Sequence, residues 1–439
     1  MAATRLSAAA VSEFGGASPV SPAVTRLPGV SSARLAMYVL MLCSGFAGLG
    51  YQVAWTRLLA VPLGHEYVAV LAVVAAFFVG LALGGFTLNR RLHTTASPAR
   101  WYCALELLIG AWSLVLLVLL PRLGPQLASW IGTDPGPLRH WGLAFGTALV
   151  LLLPATAAMG ATLPAIERLA RRVTPECRVI PGLYAANTVG AMLGVLGTAF
   201  FLLSALGLAR TLLLLASLNF VIAAAVWATA GRNEPQKTGR LPPGIPRAPD
   251  FPRRLPATLF LTGFLGLGYE VLVVRVLGQV LEGTVYSFAA VLAVYLAGTA
   301  LGAAAYQRQL ASWQSPGRWE QRTAWLLQAT ATSCLLGTAA LWFTEDIYRW
   351  VFERAGPGNT GGLAGELCVA TIALLLPTFC MGALFSHLVQ RGSTDHGLGR
   401  LLGVNTLGSA LAPLVFGIAL LPLLGARLAL VALCGGYLV

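Results

Sequence analysis

The sequence predicts an all-α polytopic membrane protein built from two six-helix bundles that share one orientation. Three observations predict it. Hydrophobic residues make up 57% of the chain and charged residues only 10%, with a mean hydropathy of +0.76; an ordinary soluble domain carries about 25% charged residues. Apolar windows of roughly 20 residues, long enough to cross a hydrocarbon core of about 30 Å as a helix, recur along nearly the whole length. A phrase near the start, GFAGLGYQVAWTR (Gly45 to Arg57), returns 218 residues later as GFLGLGYEVLVVR (Gly263 to Arg275).

The first half gives segments at Ala36 to Val53, Val68 to Leu88, Trp101 to Leu120, Trp141 to Leu163, Leu183 to Leu203 and Leu208 to Ala230. The second gives Leu255 to Val274, Val285 to Tyr306, Thr323 to Phe343, Leu363 to Val389, Leu401 to Leu421 and Leu428 to Val439. The last, at 12 residues, rises only about 18 Å, so it reads as an incomplete helix in a truncated chain. Residues 1–35, rich in Ala, Ser, Val and Pro without a continuous apolar core, read as a disordered cytoplasmic tail rather than a secretory signal. Residues 231–254, polar and rich in Pro and Arg, read as a cytoplasmic linker between bundles spanning 36–230 and 255–439.

The net charge of +13 does not indicate nucleic acid, because the basic residues sit in short loops between apolar segments. The amino-terminal tail, the even-numbered loops and the linker hold 21 of the 29 Lys and Arg, and the odd-numbered loops hold 8. Both halves therefore start on the cytoplasmic side of what reads as a bacterial inner membrane. The seven cysteines (Cys43, Cys103, Cys177, Cys334, Cys368, Cys380, Cys434) lack metal-type spacing and read as small packing residues. His65, His93, His140, His387 and His396 are scattered, so neither a metal nor another cofactor is expected.

Residues 45–92 align with 263–310 without a gap, giving 19 identities in 48 positions. Further blocks pair PATAAMGA from Pro154 with PTFCMGA from Pro377, and AANTVGA from Ala185 with GVNTLGS from Gly403. The whole six-helix unit is duplicated. An even number of crossings returns the chain to its starting side, so the copies share an orientation and relate by an axis along the membrane normal, as in major-facilitator halves. Lipid gives helices no hydrophobic drive to associate, and close approach needs small residues. GLALG (Gly80 to Gly84) and GTALG (Gly298 to Gly302) are such faces, and the glycines of the opening phrase are expected to act likewise. GFLGLG from Gly263 lacks the strand-loop-helix setting of a nucleotide-binding loop and reads as helix packing.

These phrases, with GLALGGFTLNRRL, YCALELLIGA, PATAAMGATLP and GLYAANTVGAMLG, resemble the membrane portion of bacterial fused major-facilitator/spermidine-synthase proteins across nearly all of residues 36–439. The resemblance implies a facilitator-like fold, polyamine-related biology and a cytoplasmic synthase-like domain or subunit as partner. No catalytic residue of such a synthase has a counterpart in this chain. The loop after the second segment keeps only Asn89, Arg90 and Arg91 of a facilitator-type signature, which counts against proton-coupled transport.

Ionisable groups at membrane depth are functional candidates by default. Glu270, at the end of the seventh segment, corresponds to Gln52 in the first; Glu106 lies in the third, opposite Gln328 in the other copy. A di- or polyamine would suit them, its ammonium groups on carboxylates and its methylene stem against Tyr51 and Tyr269. Alternatively Glu270 pairs with Arg275 on one helix face. Arg57 and Arg275, in equivalent outer-loop positions, would neutralise an anionic substrate, snorkel to headgroups or cap a helix. Pro154 and Pro377 are expected to kink their segments, while Asn187, Thr188, Asn405 and Thr406 line a polar centre or bond between helices. The chain therefore reads as a membrane domain that moves or presents a small polar metabolite, a polyamine-type cation above all. The alternatives are an anchor for an aminopropyltransferase or a passive scaffold.

Overall fold

The computed structural model describes residues 28–64, 66–95, 97–133, 135–173, 180–230, 254–279, 285–310, 318–356, 359–392 and 398–438. The expected tail up to residue 27, the linker from 231 to 253, Cys177, His65, His396 and the side chains of Asn89, Arg90, Arg91 and His93 lie outside the described residues.

The described chain is helical, with no strand among the described residues: α1 (Pro28–Leu63), α2 (Glu66–Thr94), α3 (Pro98–Ile131), α4 (Pro137–Val173), α5 (Ile180–Leu196), α6 (Leu203–Ala230), α7 (Arg254–Leu277), α8 (Val285–Ala305), α9 (Trp319–Ala340), α10 (Thr344–Ala355), α11 (Asn359–Gly392), α12 (Leu398–Ala412) and α13 (Leu421–Gly436). Short π-helical stretches join α5 to α6 and α12 to α13. Among the described residues, ten continuous helical runs are long and apolar enough to cross a membrane. This is a multi-pass membrane protein. Helices suit that solvent because every backbone donor and acceptor is satisfied inside the segment.

Two runs are too long for one crossing. Gly182–Thr229 has 48 residues and Gly399–Gly436 has 38. Each is broken by one glycine in the left-handed region, Gly207 (φ 73°) and Gly425 (φ 71°), again 218 residues apart. Neighbours show that the chain reverses at Gly207. Along α1, Leu42, Phe46 and Gly50 meet Gly190, Gly194 and Thr198 in rising order, so α5 and its π-helical extension run parallel to α1. Along α3, Cys103, Glu106 and Gly110 meet Ala223, Asn219 and Ala216 in falling order, so α6 runs antiparallel to α3. Since α3 is parallel to α1, through Tyr102 beside Met41 and Glu106 beside Ser44, α5 and α6 point in opposite directions. The two breaks divide the ten runs into twelve segments.

The duplicated glycines hold the helices backbone to backbone. A side chain on Gly80 or Gly298 would strike the Thr156 or Thr378 hydroxyl, and one on Gly84 or Gly302 would strike the Ala157 or Phe379 carbonyl. In return, Gly160 and Gly382 abut the carbonyls of Leu81 and Thr299. The α2–α4 contact is thus repeated between α8 and α11. Gly45 and Gly263 likewise abut the carbonyls of Asn187 and Asn405. Buried apolar side chains fall into two main clusters, one drawn from Met37 to Val226 and the other from Leu255 to Tyr437 with Leu71.

Several expectations need correction. Residues 28–35 of the expected tail belong to α1, and α1 continues ten residues past Val53 to Leu63. The reason is packing: Trp55, Leu59 and Leu63 are fully buried, so the helix persists where average hydropathy falls at Thr56 and Arg57. Glu270 does not end its helix, because α7 runs on to Leu277. Arg57 and Arg275 are therefore helical rather than loop residues. Pro154 and Pro377 stand inside α4 and α11, as expected from the sequence. The sequence reading also missed α10, a short charged helix after the ninth segment whose Tyr348 ring covers Gly365 of α11.

Because Gly84 and Gly302 face carbonyls that cannot move without displacing a helix, Gly84→Ala and Gly302→Ala should each cost about 1–3 kcal/mol. Gly146→Ala, where a Cβ meets nothing within 4 Å, should be near neutral; thermal unfolding in detergent compares the three.

Candidate functional site

A cavity of about 350 Å³ lies where residues of both repeats meet. From the first repeat α1, α2, α4 and α5 contribute most of its wall, with Ile109 of α3 and Asn219 of α6, and from the second α7, α8, α11 and α12, with Tyr437 just after α13. It extends from mid-helix toward the side on which α1, α5, α7 and α12 begin. Toward the opposite side the repeats close on apolar contacts: Leu71 against Gly417, and a cluster of Val53, Val195, Ala199 and Ala289. Near the first side the rings of Tyr184 and Phe385 approach to 5.8 Å.

The opening phrase of each repeat explains the cavity's position. Its first and third glycines, Gly45 and Gly50 or Gly263 and Gly268, are pressed against neighbouring helices. The middle ones are not. A Cβ at Gly48 would meet nothing within 4 Å, and one at Gly266 only the Tyr295 and Tyr437 hydroxyls and Met381 Sδ, all at 3.4 Å or more. Both middle glycines line the cavity. The phrase thus packs α1 and α7 at two points and leaves a gap between them.

The structure brings Asn187 and Asn405 into the cavity wall, one from each repeat. Asn405 spends one amide hydrogen on the Leu259 carbonyl at 2.9 Å, whereas the Asn187 side chain has no hydrogen-bond partner among the described residues. Thr188 lines the wall while its hydroxyl donates to the Tyr184 carbonyl at 2.9 Å.

Glu106 stands one side chain behind the wall and is fully buried. Ser44 donates to its Oε1 at 2.8 Å and Asn219 to its Oε2 at 2.5 Å; Tyr51 in turn donates to Asn219 Oδ1 at 2.8 Å. Ser44 and Asn219 both line the cavity, so this chain of bonds connects the carboxylate to it. Ser44 and Asn219 thus hold Glu106 through short hydrogen bonds, and Tyr51 holds Asn219 in place. The expected counterpart, Gln328, is exposed; the buried face of α9 carries Thr330 instead.

Glu270 differs. It lies on the α7 face of Gly263, Gly266 and Leu267, seven, four and three residues further on, one turn beyond the cavity. Its Oε2 is buried without a hydrogen-bond partner. It does not pair with Arg275, whose exposed guanidinium sits over the Tyr67 ring at 5.0 Å. Gln52, the equivalent residue of the first repeat, is also buried.

Other expected residues stand elsewhere. Tyr51 and Tyr269 are completely buried behind the cavity wall, the first stacked on Trp55 at 5.1 Å and the second donating to the Ala373 carbonyl at 3.1 Å. Arg57 is half-buried and does not line the cavity. The aromatic wall comes instead from Tyr184, Tyr295 and Tyr437, among others. Sequence reasoning missed these because an isolated Tyr in an apolar helix gives no sign of which face it occupies; only the pairing of Tyr437 with Asn219 at the repeat offset of 218 hinted at it. In comparison with known proteins, the chain matches no family model and no curated protein.

Glu106→Ala removes the acceptor for Ser44 and Asn219 and should cost about 1.5–3 kcal/mol or more, the range for hydrogen bonds to charged groups. Glu270→Ala should cost less, because no hydrogen bond to its Oε2 is lost. Unfolding midpoints of the two variants, measured side by side, check the order.

Proposed function

We propose that this chain is the membrane domain of a spermidine-synthase-like fusion protein, with its two repeats acting as parallel-related six-helix bundles of the major-facilitator kind. Its job is to move a small polar metabolite, or to present it to a cytoplasmic synthase-like domain or subunit, and a polyamine-type cation is the favoured cargo. The membrane in question is the bacterial inner membrane, with the amino terminus cytoplasmic. The observation that carries this reading is the cavity itself: about 350 Å³, within the range of small-molecule sites, walled by amide, hydroxyl and aromatic groups from both repeats.

Several features support the cargo class. A carboxylate reaches the cavity through Ser44 and Asn219, and a second carboxyl lies one turn beyond Gly266. Tyrosine rings line the wall, and aromatic faces attract cations. No Lys or Arg lines the cavity among the described residues, so an anion would find no countercharge. Movement would be a rocking of one bundle against the other about this site: the apolar contacts of Leu71, Gly417, Val53 and Ala289 would open as contacts such as Tyr184 with Phe385 tighten.

Gly48 gives a direct test, because a side chain there points into space rather than into a helix. Gly48→Phe should insert and fold normally yet abolish uptake of labelled putrescine and spermidine into vesicles carrying the wild-type chain. Uptake no greater than in empty vesicles would defeat the transport reading and leave that of a membrane anchor.

A further inference from the structure

The two acids near the cavity are in opposite states of satisfaction, and this asymmetry has a chemical consequence. Glu106 accepts from Ser44 and Asn219 on its two oxygens, so its ionised form is solvated by the protein. Glu270 has a buried Oε2 with no donor, and it forms no ion pair, among the described residues. Of the titratable groups on the helices packed against α7, Tyr295 of α8 stands within electrostatic reach of Glu270, and Tyr295 in turn neighbours Tyr184 of α5 and Tyr437, just past the end of α13. Arg275, five residues outward on α7, is turned to Tyr67 of α2. Glu366 of α11 accepts from Ser287 at 2.6 Å, and His387 of α11 is bonded to Tyr306 and Thr323. Arg400 is the sole charged side chain of α12 among the described residues, and it is exposed near that helix's start. Among the described residues no cation pairs with Glu270.

A carboxylate left unpaired at membrane depth costs several kcal/mol, whereas the neutral acid does not. The protonated acid is therefore the form that suits the surroundings of Glu270 Oε2 when no cation stands beside it. Next to it the geometry leaves a place for a cation: with no side chain on Gly266, the Tyr295 and Tyr437 hydroxyls converge there, 3.4 and 3.6 Å from where a Cβ would stand. Tyr437 Oη is itself buried without a partner. Both phenol oxygens offer lone pairs to an ammonium group one helical turn from the carboxyl.

We propose that Glu270 exchanges a proton for an organic ammonium ion, so that the cavity binds its cargo by cation/proton exchange. This rests on reading the cavity as a cation site. In the step the Glu270 O–H bond breaks, the proton leaves to water on the cavity's open side, and the ammonium takes its place beside the carboxylate. For the ammonium group beside Glu270 the exchange leaves the charge unchanged, while the second ammonium of a diamine adds one positive charge to the cavity. The reduced signature at Asn89 to Arg91 counts against proton coupling in the sequence; the partnerless acid supplies the proton by another route.

The test uses the full chain in nanodiscs with putrescine as probe and a pH-indicating dye in weak buffer. Wild type should release about one proton per putrescine bound, and affinity should rise with pH by up to about tenfold per unit before levelling once the acid is ionised. Glu270→Gln should abolish the release and the pH dependence. Glu270→Asp, which keeps a carboxyl, should restore both, and Glu106→Gln should leave the release in place. Putrescine binding without proton release, or release undiminished in Glu270→Gln, overturns the exchange while leaving the cation site standing. Wild type that binds no putrescine overturns the cavity reading and the exchange together.

Discussion

Backbone contact at glycine is the interaction on which the rest of this structure depends. In lipid a leucine gains little by leaving hydrocarbon for a protein interface, so association must come from close packing and polar contacts. Gly84 against Ala157 and Gly302 against Phe379 bring helices so near that any side chain would part them. The repetition of these contacts in both halves of the chain means that one packing solution was duplicated along with the sequence. Gly45 and Gly263 extend it to the α1–α5 and α7–α12 pairs.

The same contacts make the cavity possible. Helices locked together at Gly45 and Gly50 cannot collapse onto the gap left at Gly48, and the second repeat keeps its gap at Gly266 in the same way. Polar groups around these gaps differ in how they are satisfied. Glu106 and Tyr51, behind the wall, are bonded within the protein, whereas Asn187, Glu270 Oε2 and Tyr437 Oη have no hydrogen-bond partner among the described residues. Polar groups in a membrane interior cost free energy unless bonded. Those left open toward a cavity are placed to receive something from it.

Much of the fold was legible because lipid imposes length and composition on every crossing. The apolar windows found the helical segments, and the offset of 218 marked both glycine faces and, without being sought, the paired breaks at Gly207 and Gly425. Helix ends were less legible: Trp55 and Leu63 keep α1 helical by burial in a tertiary contact that hydropathy averaging cannot register. α10 escaped because its charged, amphipathic pattern does not resemble a crossing. At the site, Asn187 and Asn405 line the cavity, whereas Tyr51 and Tyr269 lie buried behind its wall. A repeat offset pairs residues with each other; it does not say which face of the helix looks inward.

By itself the sequence determined that the chain is helical, that it belongs in a membrane and that its halves are copies, because hydrophobic length and internal identity are properties of the order of residues alone. Tertiary structure decided that Glu106 is enclosed by donors, while the half-buried Glu270 keeps an Oε2 with no hydrogen-bond partner among the described residues. Ser44 and Asn219 lie 62 residues before and 113 residues after Glu106. Hydrogen bonds act over about 3 Å, so only the folded arrangement of α1, α3 and α6 can bring such partners to one carboxylate and leave Glu270 Oε2 with none.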